Sequence, residues 1–454
     1  MASSGKSSTD LTERVADTLV PILPVGSSIL LGLSGGVDSV VLLHLLKSLS
    51  LRYSWRLSAL HVHHGINPQA DTWAVFCAEL CVLHGVTLQV EHVNIDPLRS
   101  LGIEAAARKL RHDALTQQQV DFVALAHHLD DQSETLLLQL LRGAGVRGAS
   151  AMPAIKHRAN VPTLLRPLLN VPRSILMKYA QQHALKWVED DSNADDSYPR
   201  NFLRHRILPL LEQRFPAYRN TLFRSAQHFA EATELLDELA QQDAVGAIVN
   251  NRVDIMKLRV LGVVRGKNLL RYFLAAQGAP IPDSSRLQEM LRQLCNARQD
   301  AQLCIDWRGW QMRRYHDHAY TMPAVPLPVD FTVIWHGEAE ALLPQPHGVL
   351  HFEHATGQGI SLAKLQLGIT KIRSRHGGEN IRVDNARPLR NLKNLLQENE
   401  VLPWQRDLLP LLFCDADLVC VPGIAIASSY RAQPDEVGVR VVWRADLNAK
   451  CIRD

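Results

Sequence analysis

The hexapeptide Ser34-Gly35-Gly36-Val37-Asp38-Ser39 joins the apolar run Ser28–Leu33 to a helical pattern over Val40–Leu46. No other segment constrains the chain as strongly. Two adjacent glycines at a strand-to-helix turn let backbone approach a phosphate, because no Cβ stands in the way. The free amides and positive end of the following helix favour an anion, and Ser34 and Ser39 add hydroxyl donors. This is not the lysine-bearing Walker loop, since GxxxxGK[ST] is absent. Asp38 repels phosphate unless it holds a cation or positions a nucleophile. The bland alternative is a glycine turn with no ligand.

The surrounding pattern supports a phosphate site. Strand candidates at Ser28–Leu33, Leu57–Val62, Thr87–Val93 and Asp121–Ala126 alternate with helix candidates at Val40–Leu46, Asp71–Leu83, Ile103–Leu115 and Asp130–Leu141. Four strand–helix alternations predict an α/β fold, a Rossmann-like parallel sheet with helices on both faces. Ligands of such sheets sit at the carboxyl ends of the strands. Beyond Arg142 the chain turns Gly-, Pro- and Arg-rich to about Arg173. From Asn220 to about Leu294 it reads mainly as helix, and Met322–Pro328 reads as a proline linker. The expected organisation is a catalytic domain over 1–215, a mainly helical domain over 216–322 and a small α+β domain over 329–454.

Composition narrows the class without naming a partner. The 454 residues are 46% hydrophobic and 21% charged, with net charge +3, so any nucleic-acid footprint has to be local. Seven scattered cysteines, with no CxxC pair, read as reduced and mostly buried. No apolar run approaches a membrane span and the first twenty residues lack a signal core, which implies a cytoplasmic protein without a membrane partner.

Three further clusters fall at predicted strand ends. Ala126-His127-His128-Leu129-Asp130-Asp131-Gln132-Ser133-Glu134 places three carboxylates in a first helical turn, with Asp131 and Glu134 on one face. Helix capping accounts for some of them; a site for Mg²⁺ or a substrate ammonium accounts for more. His61-Val62-His63-His64-Gly65 reads most simply as structural. Glu104 and Arg108 form either a surface i, i+4 pair or, through Arg108, a clamp for pyrophosphate.

In this order and spacing the motifs resemble the tRNA(Ile)-lysidine synthetase family of PP-loop ATP pyrophosphatases. The likeness runs through SGGVDS, HVHHG, ExxAR, AHHxDDQxET and Leu140–Gly145. It continues through Arg166-Pro167-Leu168-Leu169, Asp190-Asp191-Ser192-Asn193 and Arg200-Asn201-Phe202-Leu203-Arg204, and resumes at Leu392–Glu398 and Leu402–Arg406. It is dense over about 1–215 and looser at the end. In the third helix Arg111-His112-Asp113 departs from the usual Arg-aromatic pattern, and neither His112 nor Asp113 is given a role.

The resemblance implies conversion of the wobble cytidine of the CAU-anticodon isoleucine tRNA to lysidine, with ATP, Mg²⁺ and free L-lysine as inputs and AMP and pyrophosphate as products. Adenylation turns the C2 oxygen of cytidine into a good leaving group, and the lysine ε-amine then attacks C2. Only roughly 0.04% of lysine side chains are free amine at neutral pH, so a carboxylate has to take or steer a proton. The expected catalytic set is Asp38, Asp131, Glu134 and Arg108. Ser34, Gly35, Gly36, Val37, Asp38 and Ser39 are expected to hold ATP, Asp131 and Glu134 the lysine, and Asp38 and Asp131 the Mg²⁺.

Two local basic stripes are candidates for tRNA contact. Residues 200–224 hold six Arg against one acid, and residues 371–406 hold eight Lys or Arg against four acids. The chosen contacts are Arg200, Asn201, Arg204, Arg382, Arg387, Arg390 and Lys393. No obligatory protein partner is evident. The alternatives are a PP-loop tRNA thiolase, a small-molecule adenylating ligase and a non-catalytic nucleotide-sensing RNA-binding protein.

Overall fold

A computed structural model describes residues 10–157, 160–190, 195–298, 303–386 and 388–445, with the side chains of Ser100, Leu101 and Glu104 left aside. The chain divides into two compact units, Met1–Leu235 and Leu236–Asp454.

The first unit is built on a six-stranded sheet. Its strands are β1 (Ser28–Gly32), β2 (Arg56–His63), β3 (Thr87–His92), β4 (Phe122–Ala124), β5 (Ile155–Lys156) and β6 (Thr163–Leu165), in the order β3-β2-β1-β4-β6-β5. All neighbours pair parallel except the short β5–β6 edge. The helices are α1 (Leu11–Leu19), α2 (Val37–Tyr53), α3 (Ala70–His84), α4 (Ile103–Thr116) and α5 (Leu129–Leu141). Residues of α2 such as Val41, Leu42, Leu45 and Leu46 are wholly buried. Each contributes about 1.5–3 kcal/mol of apolar burial, which makes α2 the keystone of this core.

The strand order places the site. β1 lies between β2 and β4, so the chain runs outward on one side of β1 and later returns to its other side. The carboxyl ends of β1 and β4 are therefore neighbours at the reversal point, where ligands of such sheets bind. The loop Ser34–Ser39 leaves the first end and His127–Asp131 the second. Strand β6 and the edge strand β5 arise inside the Gly-, Pro- and Arg-rich stretch that carried no strand signal.

In the second unit, helices Ile255–Ala276 and Ser284–Asn296 pack on a five-stranded antiparallel sheet formed by strands from Ile248 to Pro323. The helical reading of Asn220 to about Leu294 holds for Tyr218–Ala244, Ile255–Ala276 and Ser284–Asn296, and a β-meander over Cys304–Pro323 follows them. The C-terminal part carries one five-stranded and one four-stranded sheet with short helices Leu392–Glu398 and Pro403–Arg406. Among the described residues no helix is long and apolar enough to cross a membrane.

Candidate active site

The loop after β1 is held open by its own side chains. Gly35 has φ +85°, and a Cβ there would stand 2.8 Å from Val188 Cγ2 and 3.2 Å from Cys77 Sγ. Its carbonyl accepts the Val188 amide at 3.0 Å. The Ser39 hydroxyl donates to the Gly36 carbonyl at 2.9 Å, lies 3.2 Å from the Ser34 hydroxyl and accepts the Ser34 amide at 3.3 Å. Gly36 caps α2 with no side-chain hydrogen bond, so the first-turn amides have no side chain in their way. An uncapped helix start behind a turn free of Cβ at Gly35 and Gly36 suits phosphate. The residues present therefore fit a nucleotide.

The loop after β4 brings the acids together. His128 caps α5: its Nδ1 accepts the Asp131 amide at 3.4 Å, and its own amide donates to Asp131 Oδ2 at 3.0 Å. In the neutral ring, with Nδ1 accepting, the proton is on Nε2, which lies 3.5 Å from Asp38 Oδ2 and 3.4 Å from Asp131 Oδ2. Burial opposes a charge on His128, but Asp131, Asp38 and Asp130 outweigh it and raise its pKa above the ordinary value. His127 does the reverse. Burial, opposed by Asp131 but reinforced by Arg166, Arg200 and Arg108, pushes it down to about 3. It remains neutral and accepts from Arg166 Nε at 3.3 Å.

The site residues expected from the sequence converge only in part. Asp38 and Asp131 meet across His128. Glu134 is fully buried, and both of its oxygens accept from guanidiniums: Arg200 Nε donates to Oε2 at 2.6 Å, and Arg204 Nε donates to Oε1 at 2.7 Å. Arg200 Nη2 also donates to Asp131 Oδ1 at 2.9 Å. Burial works against the Asp131 charge, yet His128 and Arg200 hold its carboxyl below the usual range. Arg200 and Arg204, chosen as RNA contacts, are thus folded onto the carboxylates chosen for lysine. Asn201 is buried and donates to the Asp195 carbonyl at 2.9 Å.

Arg108 lies on an exposed face of α4, and its charge reaches His127 and Arg111. Among the described residues Asp38 Oδ1 is buried without a hydrogen-bond partner, 4.0 Å from Arg173 Nε. An orphaned carboxylate oxygen facing a phosphate-ready loop fits a cation. No protein cluster of three or more metal-binding side chains occurs among the described residues. Mg²⁺ commonly takes one or two carboxylates and completes its shell with phosphates and water. Arg173 and Arg219 were not singled out from the sequence. Arg173 follows the Arg166–Leu169 motif and Arg219 falls in the 200–224 basic stripe, but only the fold brings each to this turn.

In the second unit Arg382 and Lys393 are exposed, and Arg390 is half-buried in an ion pair with Glu398. Arg387 and Asp191–Asn193 lie outside the described residues.

Comparison with known proteins agrees with this layout. Family profiles match in order: a PP-loop domain over residues 7–211, a TilS substrate binding domain over 254–320 and a TilS substrate C-terminal domain over 370–443. A tRNA(Ile)-lysidine synthase of Nitrosomonas europaea is 45% identical, with 96% of each chain covered. One from Coxiella burnetii is 36% identical over 93% of this chain and 94% of its own. Among solved structures, the U34-tRNA thiolase NcsA from Methanococcus maripaludis is 22% identical over 49% of this chain and 78% of its own, at a TM-score of 0.43. That likeness is too slight to carry an argument. The PP-loop domain at the β1–β4 reversal, the two substrate-domain profiles behind it and end-to-end identity to these synthases together make the chain a member of the tRNA(Ile)-lysidine synthase family.

Proposed function

We propose that the chain is an ATP-dependent ligase that joins free L-lysine to C2 of the wobble cytidine in the CAU-anticodon isoleucine tRNA. The carrying observation is the meeting of a phosphate-ready loop and a paired-carboxylate turn at adjacent strand ends, in a chain of this family. In the first step cytidine O2 attacks the α-phosphorus of ATP and pyrophosphate leaves. In the second the lysine Nε attacks C2, the C2–O2 bond breaks, AMP leaves, and the nitrogen gives up its excess proton.

The chain's own residues divide the work. Ser34, Gly35, Gly36, Val37, Asp38 and Ser39 hold the phosphates through the first-turn amides of α2 and the two hydroxyls. Arg108 stabilises departing pyrophosphate. Asp38 and Asp131 are the residues that would hold Mg²⁺, which would supply charge neutralisation at the phosphates. Asp131 and Glu134 receive the lysine ammonium on lone pairs beside Arg200 and Arg204, whose guanidiniums hold the two carboxylates in place. Arg200, Asn201 and Arg204 contact the anticodon loop from beside these carboxylates. Arg382, Arg387, Arg390 and Lys393 dock the tRNA body. The domains 1–215, 216–322 and 329–454 would work in the cytoplasm without an obligatory protein partner.

The test is incubation with ATP, labelled lysine and total tRNA. Label entering isoleucine tRNA with stoichiometric AMP supports the reading. Label from a sulfur donor, or none from lysine, overturns it.

A further inference from the structure

The first turn of α5 carries a third acid, Asp130, to which the reaction above gives no role. Both its oxygens are taken by protein donors. Arg219 Nε donates to Oδ1 at 2.5 Å, and the backbone amide of Arg173 donates to Oδ2 at 2.9 Å. The remaining donors of Arg219 fork onto Glu212, Nη1 to Oε1 at 2.6 Å and Nη2 to Oε2 at 3.1 Å. The same guanidinium lies 4.6 Å from the centre of the Tyr218 ring. A planar fork held by two carboxylates and a ring is a defined geometry that lysine cannot reproduce.

Glu212 belongs to the last part of a helical rod. The rod runs through Pro199–Phe202, a π-helical turn at Leu203–Ile207, and Leu208–Arg214. Its first part carries Arg200 and its π-turn carries Arg204, and the two grip Glu134 and Asp131. The rod is therefore tied to one turn of α5 at both ends, directly at its start and through Arg219 at its finish. The π-turn, a departure from α geometry that recurs at functional sites, holds Arg204 and separates Arg200 from the tie at Glu212. Backbone hydrogen bonding alone does not fix the aim of the arginine end across such a turn.

We infer that Asp130 is a positioning residue: through Arg219 and Glu212 it anchors the far end of the rod and so sets Arg200 and Arg204 against Asp131 and Glu134. It ligates neither metal nor lysine. The kinetic part of this inference rests on the proposed lysine site, whereas the geometric part does not.

The test uses the full chain with Asp130→Asn, Arg219→Gln, Arg219→Lys and the double variant Asp130→Asn/Arg219→Gln. Two measurements are made on each: steady-state kinetics with ATP, lysine and tRNA, and amide hydrogen exchange of peptides covering 199–214. The expected result is an ATP KM within about 2-fold of wild type and a lysine KM raised by about 10-fold or more. Exchange over 199–214 should quicken in the same variants. The double variant should be no worse than the worse single one, because both break one linkage, and Arg219→Lys should recover part of the loss.

A raised ATP KM or Mg²⁺ requirement with lysine KM unchanged makes Asp130 a member of the metal site and overturns the inference. Equal loss in every parameter, tracking the folded fraction, also overturns it, as do variants that match wild type throughout. Should the wild-type chain transfer no lysine, the functional reading fails, and exchange alone decides: unchanged protection over 199–214 overturns the anchor.

Discussion

Arg204 lays its guanidinium across both oxygens of Glu134, with Nε–Oε1 at 2.7 Å and Nη2–Oε2 at 3.0 Å, on a carboxylate side chain only 1% exposed. Removing that carboxylate leaves two guanidiniums facing each other with little water. Glu134→Ala should destabilise the first unit by about 3 kcal/mol, the lower end of the range for a broken buried pair, because Arg200 and Arg204 keep 20% and 28% of their side-chain surface in solvent. Its lysine KM should rise while ATP binding changes little. Glu134→Gln, which keeps an acceptor, should be milder on both counts. Urea melts and paired KM measurements check this; a collapse of ATP affinity with constant lysine KM moves Glu134 to the metal site.

Asp38 contributes little packing, being 29% exposed at the start of α2. Asp38→Asn should melt like wild type yet lose at least ~10²-fold in lysidine formation, the scale of a lost electrostatic group in a transition state. Near-normal turnover at saturating ATP and Mg²⁺ contradicts the assignment.

The two loop glycines should separate stability from binding. Gly35→Ala forces a Cβ to 2.8 Å from Val188 Cγ2 at a positive φ and should cost about 1–3 kcal/mol. A Cβ at Gly36 meets only Ser34 Oγ, at 3.6 Å, so Gly36→Ala should fold normally and raise the ATP KM instead. Thermal melts beside ATP titrations give the comparison; equal stability losses would refute it.

Burial, with Arg111 beside it, pushes His64 down to about 4. The unfolded chain, with an ordinary histidine near pH ~6.5, takes the proton first. The contribution of neutral His64 is therefore complete above about pH 6.5 and lost progressively as pH falls toward about 4. His64→Gln should flatten the fall of the urea midpoint across that window. An unaltered slope would mean that other groups carry the acid sensitivity.

Arg382 and Lys393 are exposed, whereas Arg390 is committed to Glu398. Replacing Arg382 and Lys393 with Ala should weaken tRNA binding and reduce the salt slope by roughly 0.7 to 0.9 per true phosphate contact. Arg390→Ala should change the slope less. Binding isotherms at several salt concentrations decide; no change in affinity or slope excludes this face from RNA docking.

Much of the first unit was legible because its signals are local. The strand candidates at Leu57–Val62 and Thr87–Val93 and the helix candidates at Asp71–Leu83 and Ile103–Leu115 lie within a few residues of the observed elements. The two- and three-residue strands at Ile155–Lys156 and Thr163–Leu165 are too short for periodicity to register. The carboxylates were visible as residues but not as a circuit. That Asp131 and Glu134 are neutralised by Arg200 and Arg204, and that Arg219 reaches Asp130, depends on contacts between segments dozens of residues apart. No spacing rule encodes such contacts.

The linkage through Arg219 also sets an order of events during synthesis. A nascent chain that has emerged only as far as Leu165 already contains β1, β4 and the glycine loop. The grip of Arg200 and Arg204 on Glu134 comes later, and its anchor at Asp130 later still, when Tyr218 and Arg219 leave the ribosome. The loop, the acids and the three arginines belong to one unit, Met1–Leu235, so a chain arrested before Val188 lacks the amide that holds the Gly35 carbonyl, and one arrested before Tyr218 lacks the anchor at Asp130. Along the chain, the residues that face a nucleotide thus precede those that neutralise the acids.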